Sequence, residues 1–356
     1  MNNLTLVVDA NWLLNSRFSV LSDKFNKLLP KEDKISGQQQ LEELLSKSIN
    51  IILNRFNIID NIIFVADGGS WRKAIPSPDE EEIFYKGNRK QNEEHDWNYI
   101  YNALNNVLQK AKDQGITVSQ YNQIEGDDWI WYWSKRLNSE GVNCLIWSSD
   151  NDLKQLIQID HNTNAFTAWY NDKNGLWLHE ESNDEFTDVG FFLKPHYYSQ
   201  TMEIIKKQSK SINYINPHHI IMEKIICGDA GDNIKSVFRY TKNNRNYRIT
   251  EKDWDALRLS KGINNMCDFL ESSQYIISKI VEHKKYKDYQ PSKDKILNML
   301  NHNTKMVWLD DQVIPDTIIQ FMNQQDYKLY DVDYMRRNYK VLLDQNNDIQ
   351  NLFDSI

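Results

Sequence analysis

The chain of 356 residues is long enough for one large hydrophobic core with a smaller satellite, or for two ordinary domains. Apolar residues make up 40% of it and charged residues 26%; this argues against a disordered chain, and no run approaches the ~20 apolar residues that a membrane span needs. Three cysteines, Cys144, Cys227 and Cys267, lack C-x-x-C spacing, so neither a disulfide framework nor a structural zinc site is expected, and a soluble protein of the reducing cytoplasm fits.

The formal charge of -8 speaks at first against a nucleic-acid partner, until the acids are located. From the start, Met1–Ala10 has no basic stretch ahead of its short apolar run, so no export signal is expected. Leu4–Val8 reads as a strand buried on both faces. Leu41, Leu44, Leu45, Ile49, Ile52, Leu53 and Phe56 recur at steps of three and four and predict a helix. A second buried strand follows at Ile62–Ala66. Gly68 to Glu94, with two prolines and the stretch FYKGNRK at Phe84–Lys90, is polar enough to be a mobile connection. Trp97, Tyr101, Leu104, Leu108 and Ala111 predict another helix, ahead of a short strand at Ile116–Ser119. A further helix opens near Asp127, carries Ile130, Trp133 and Leu137 on one side, and stops at Gly141. Strands follow at Cys144–Ser148 and Ala165–Trp169. Alternating strands and helices of this kind predict an α/β fold with a mainly parallel sheet.

Ligands of such sheets bind beyond the carboxyl ends of the strands, and there the acids gather. LTLVVDA ends a strand on Asp9, IIFVAD on Asp67, and CLIWSSDND supplies Asp150 and Asp152. IEGDDW adds Glu125, Asp127 and Asp128 at a helix N-terminus, where the dipole tolerates anions. CGDAGDN adds Asp229 and Asp232, three apart and on one face if helical. Nine carboxylates in one crevice would repel one another unless neutralised. With no His or Cys among them, the donor set selects hard ions, and two Mg²⁺, with Mn²⁺ as a substitute, could use so many acids. Setting the nine aside leaves 41 acids against 42 bases, and the remaining positive charge concentrates between Lys206 and Lys252. A nucleic-acid surface is therefore compatible with an acidic chain.

The series VVDAN, FVADG, YKGNR, IEGDDW, SSDND and GDAGDN, in this order, resembles the flap endonuclease and 5′-nuclease superfamily, and within it is most similar to the ribonucleases H of T-even-type bacteriophages. MVWLDDQVIPDTI at Met306–Ile318 is also similar to the phage enzymes. The resemblance implies a PIN-like α/β nuclease domain over 1–200, with a mobile gateway at about 68–96. A smaller, basic, mainly helical part over 201–356 follows. It implies one metal near Asp9, Asp67, Glu125 and Asp127, with Asp128 and Asp150 close by, and a second near Asp150, Asp152, Asp229 and Asp232. In the gateway Lys86 and Arg89 would hold the scissile phosphate and Tyr85 would stack on a base, with Lys90 and Arg72 as weaker candidates. Catalysis would fall to Lys86, Arg89, Asp127, Asp150 and Asp152.

One departure from the family pattern is that GDAGDNIKSVFRYTKNNRNYR contains no Gly-Ile-Gly turn of the duplex-gripping helix-turn-helix. Lys235, Arg239, Lys242, Arg245 and Arg248 are expected to take that role through phosphate contacts. The implied activity is 5′ to 3′ exonuclease and flap cleavage on DNA and RNA·DNA duplexes with a 5′ end, flap or fork, removing RNA primers during phage replication. A monomer in the host cytoplasm is expected, without membrane contact, with a single-stranded DNA-binding protein and a sliding clamp as candidate partners. A non-catalytic junction-binding factor and a PIN-type single-stranded ribonuclease are the alternatives. His218 and His219 adjoin and cannot both face one helical site, Trp71 and Trp129 sit beside motifs and are candidates to touch substrate, and the tail DIQNLFDSI at Asp348–Ile356 is short, acidic and apolar.

Overall fold

A computed structural model describes residues 3–78, 85–89, 92–183, 199–242, 245–283 and 292–325. Lys90 and the tail 348–356 fall outside them. The chain forms two compact units: Met1–Gly68, Asn92–Ile215 and Met322–Ile356 make the first, Gly69–Gln91 and Asn216–Phe321 the second. A division at residue 200 read along the sequence differs from this one. Gly69–Gln91 groups with the second unit because the YKGNR turn hydrogen-bonds to the GDAGDN loop, a pairing that sequence order hides.

In the first unit, β1 (Leu4–Asp9), β2 (Ile59–Val65), β3 (Thr117–Ser119), β4 (Asn143–Trp147), β5 (Gln158–Asp160), β6 (Ala165–Asn171), β7 (Gly175–His179) and β8 (Ile212–Ile215) build an eight-stranded sheet. Its order is β3-β2-β1-β4-β6-β7-β8, with β5 on β6. The β3-β2-β1-β4-β6 run is parallel throughout, while β5 and β7 pair antiparallel with β6. Central strands with helices on their faces must be apolar on both sides, and Leu4 to Val8 and Asn143 to Trp147 are buried along their length. From β1 the chain builds β2 and β3 to one side and then crosses to β4 on the other. Beyond the carboxyl ends of β1 and β4 lies the switch point where such sheets open a crevice.

Helix α1 (Ala10–Phe18) follows β1 directly, and α2 (Lys31–Arg55) buries the apolar positions from Leu41 to Leu53 that its periodicity marks, with Phe56 just past its end. In α3 (Trp97–Asp113) the inward face runs through Ile100, Ala103, Leu104, Val107, Leu108 and Ala111, whereas Tyr101 is exposed. Helix α4 (Gly126–Ser139) is buried from Trp129 through Ser134 without interruption, a helix inside the core rather than an amphipathic one. Trp129 is therefore core, and its Trp133 neighbour donates an indole hydrogen bond to Ser119 Oγ at 2.8 Å. No described helix is long and apolar enough to cross a membrane.

After α5 (Gln200–Gln208) of the first unit, the second unit holds α6 (Pro217–Cys227), α7 (Glu251–Lys261), α8 (Met266–Glu271), α9 (Ser273–Glu282) and α10 (Lys293–Val307) around a separate core that includes Ile225, Trp254, Phe269, Ile276 and Met306. Asn303 of α10 is buried and donates to the carbonyls of Ile225 and Lys235, both at 2.8 Å, tying α10 to the chain leaving α6. The most basic part of the second unit forms a hairpin of β9 (Arg239–Lys242) and β10 (Arg245–Arg248), on which Tyr240 and Tyr247 stack at 4.7 Å across the pair. The alternation in RYTK and RNYR around Asn243 and Asn244 carries that signal.

Candidate metal centre and phosphate-binding turn

Register places the strand-end acids side by side. Asp9 pairs with Val65 on β2, and Val8 with Trp147 on β4, so Asp67 and Asp150 leave their strands beside Asp9 at spacings of about 4.8 Å per strand. Asp9 also caps α1: its Oδ1 accepts from Trp12 N at 2.9 Å, while Oδ2 accepts from Ser148 Oγ at 2.7 Å. Ser148 Oγ in turn accepts from Asp150 N at 3.0 Å. Asp150 caps the 3-10 turn over Asn151–Leu156 by accepting from Asp152 N at 2.9 Å. Asp67 is exposed, its Oδ1 accepts from Gly126 N at 2.6 Å, and its own N donates to Asn11 Oδ1 at 2.8 Å. Glu125 and Asp128 form a reciprocal capping box at the start of α4, and Asp128 is fully buried.

This corrects the picture of nine acids aimed at one point. Seven belong to the first unit, and several of their oxygens are turned to backbone amides. Among the described residues no three His, Cys, Asp or Glu side chains form a ready-made metal set. One oxygen of Asp128, Oδ2, accepts from Glu125 N in the cap at 3.3 Å. Asp127 and Asp152 are half-buried in the first turns of α4 and of the 3-10 turn. The strand-end acids nonetheless affect one another. Burial, with the fields of Asp67 and Asp150, pushes the Asp9 carboxyl up to about 7 against the opposing bonds from Trp12 and Ser148. An all-oxygen set under that pressure fits a hard divalent cation, which would take the proton's place.

A stability prediction follows. Folded Asp9 keeps its proton up to about pH 7 while the unfolded carboxyl loses it near 3.8. The folded state thus binds more protons in that window, and metal-free stability falls as pH rises from about 4 to 7. Mg²⁺ should raise the melting temperature, and by more at pH 8 than at pH 5.5. Coincident melts in chelator and Mg²⁺ at pH 8 would show that no cation is held.

Sequence reasoning misses three supporting residues, although Asn11 lies in VVDAN and Ser148 in SSDND. Asn11 and Ser148 orient Asp67 and Asp9, and the SSD run at a strand end is the available hint for Ser148. Lys154 is buried with its ammonium 3.5 Å from the Trp177 ring centroid and 4.7 Å from that of Trp169. These two rings oppose each other across β6 and β7. Burial pushes the Lys154 pKa down. The cation pins the 3-10 turn that bears Asp150 and Asp152 to the sheet. Gly68 matters for want of space: a Cβ there would stand 1.8 Å from the Tyr121 carbonyl oxygen. Gly68→Ala should therefore cost about 2–3 kcal/mol by displacing backbone, read as a lower denaturant midpoint at unchanged slope. A midpoint equal to wild type would mean the loop yields freely.

In the second unit, Asp229 and Asp232 do not share a helical face. A bridge between Asp229 and Ile234, with N to O distances of 2.8 and 2.7 Å, closes GDAGDN as a loop after α6. The YKGNR turn docks on it. Lys86 N donates to Asp232 O at 2.9 Å, Asn88 Nδ2 to Ala230 O at 2.9 Å and Tyr85 Oη to Asp232 Oδ2 at 3.2 Å. The Arg89 guanidinium pairs with Asp232 Oδ1, and Lys86 Nζ lies 4.0 Å from Oδ2. Lys86 holds φ 56, a left-handed conformation uncommon for a side chain with a Cβ. Against the upward push of burial, Lys224 at 2.5 Å holds the Asp229 pKa below its ordinary value. Arg72 is buried on the Trp71 ring at 4.4 Å, so it is not part of an exposed phosphate-binding surface. Lys242 and Arg248 are exposed, and Lys235 and Arg239 are half-buried. Arg245 opposes Lys242 in the hairpin register.

Residues 4–186, a little over half of the chain, match the family model described as 5′-3′ exonuclease, N-terminal resolvase-like domain. No curated protein matches the sequence. Among solved structures the chain is similar to the flap endonuclease of bacteriophage T5 in a pseudo-enzyme-product complex with DNA and metal ions. The identity is 17%, over 94% of this chain and 97% of that one, with a TM-score of 0.52. It is also similar to the T5 5′-exonuclease with zinc bound, at 16% identity over 90% of this chain and 97% of that one, with a TM-score of 0.51. At such identities the likeness shows a shared fold.

Proposed function

The chain belongs to the 5′-3′ exonuclease family, within the flap endonuclease and 5′-nuclease superfamily, and on that premise we propose that it is a Mg²⁺-dependent nuclease that cleaves RNA·DNA and DNA duplexes from a 5′ end or flap. Removal of RNA primers during phage replication is the role that this activity and the similarity to phage ribonucleases H support. The observation that carries the reading is the placement of Asp9, Asp67 and Asp150 at the carboxyl ends of adjacent strands, where burial, with a smaller contribution from the two neighbouring carboxylates, raises the Asp9 carboxyl to about 7.

In this reading Asp9, Asp67, Asp127, Asp150 and Asp152 hold cations, and the Glu125–Asp128 cap fixes the backbone that presents Asp127. Asp229 and Asp232 keep their assignment from the GDAGDN motif. Two bound Mg²⁺ would supply an acidified water and would offset charge on the scissile phosphate. Lys86 and Arg89 bind a substrate phosphate, the first as a point charge and the second as a planar fork, and stabilise the charge that grows there during cleavage. Tyr85 offers a ring to a base. Lys235, Arg239, Lys242, Arg245 and Arg248 neutralise duplex phosphates, which sets position without reading sequence.

The test is a gel. A 5′-flap duplex, an RNA·DNA hybrid and single-stranded RNA, each end-labelled, are incubated with and without Mg²⁺. Shortened flap and hybrid products that need Mg²⁺ are expected. A shifted band of unchanged length would make the protein a binding factor, and cleavage confined to single-stranded RNA would make it a ribonuclease of the other kind.

A further inference from the structure

We propose that Tyr121 is the floor of a nucleobase subsite, a ring carried on fixed backbone on which one unpaired base of the substrate stacks beside the carboxylate crevice; this rests on the nuclease reading above. The loop after β3 is clamped to the segment after β2. Gly68 N donates to Ile124 O at 2.9 Å and Gln123 N to Gly68 O at 3.0 Å. Gln120 Nε2 reaches Asp67 O at 3.2 Å. The contact of Gly68 with the Tyr121 carbonyl excludes even a methyl group, and Gln123 adopts φ 68 to complete the turn. The main chain of Tyr121 is thus anchored one residue from Asp67.

Tyr121 is nonetheless 50% exposed. The side chains around it on the loop, Gln120, Asn122 and Gln123, are exposed neutral amides. From Gln114 to Ile124 the sequence has no Lys, Arg, Asp or Glu. This stretch of loop itself offers no cation to a phosphate and no carboxylate to a metal ion. A rigid aromatic face edged by amide donors and acceptors matches a planar group with polar edges, which in a nucleic acid is the base. Because every base has a π-face, the subsite tolerates any sequence. A ring rooted in clamped backbone also loses little freedom when a base lands on it.

The experiment is equilibrium binding of a 5′-flap duplex in Ca²⁺, without cleavage, while a single abasic residue is walked along the unpaired strand and across the junction. Wild type should lose about tenfold in affinity at one position of the walk and little elsewhere. Tyr121→Ala should lose about as much on intact DNA and nothing further when the abasic residue occupies that position, and Tyr121→Trp should restore binding. Melting temperatures of the variants should stay within a few degrees of wild type, since half of the residue is exposed. The proposal is overturned by a wild-type walk with no position-specific loss, by unchanged affinity of Tyr121→Ala, or by losses that add at every position. A wild-type protein that neither binds nor cleaves the flap would instead defeat the nuclease reading. Binding and cleavage without this coupling would defeat the Tyr121 subsite alone.

Discussion

Asp152→Asn and Asp127→Asn should each lower turnover of a flap or hybrid by about a thousandfold or more, the loss of several kcal/mol of transition-state stabilisation. Duplex affinity should stay within about threefold of wild type. Asp9 caps α1 and Asp150 caps the 3-10 turn through their side chains, and Asp128 is locked in a buried capping box, so changes there would also disturb structure. Asp152 contributes its backbone N to the cap on Asp150, and Asp127 stands half-buried in the first turn of α4 beside the Glu125–Asp128 pair. Exchange of one carboxylate oxygen for an amide keeps the shape and removes the charge. Retention of more than a few per cent of the rate in single-turnover assays of either variant would count heavily against the assignment.

Lys86→Ala should slow the chemical step by about a hundredfold or more while weakening binding by less than about fivefold. The ammonium belongs to a turn fixed by backbone, through Lys86 N to Asp232 O and Asn88 Nδ2 to Ala230 O. Alanine retains a Cβ at φ 56, so the strain of that position is carried equally by both proteins. The variant therefore removes the ammonium, with its 4.0 Å pairing to Asp232, while the backbone contacts of the turn can persist. Single-turnover rates at saturating enzyme, set beside Kd from Ca²⁺ binding, make the comparison. Equal losses in rate and affinity would reduce Lys86 to an anchor.

What could be read from the sequence was local. Short apolar runs ending on aspartate gave the parallel centre of the sheet, and the spacing from Leu41 to Phe56 gave α2, because both signals arise within one element. Less visible were elements whose identity depends on neighbours. β8 is a four-residue run with no fully buried position, and the β9–β10 hairpin sits inside a stretch whose charge draws attention away from its alternation. The cap roles of Asp9, Glu125, Asp128 and Asp150 were implicit in strand-to-helix junctions, but sequence cannot divide an aspartate's two oxygens between an amide and a shared crevice. The docking of YKGNR on GDAGDN links residues separated by 140 positions or more, and only tertiary packing creates it. Arg72 looked like surface for the same reason: nothing local announces that a guanidinium will be buried on an adjacent indole.

The central claim, that the strand-end carboxylates seat hard cations, is tested most directly by anomalous scattering from crystals soaked in Mn²⁺. Peaks beside Asp9, Asp67, Asp150 and Asp152, lost in a crystal of Asp152→Asn or displaced from its side chain, are the predicted result. A well-diffracting soaked crystal with substrate DNA bound and no peak among these residues would contradict it.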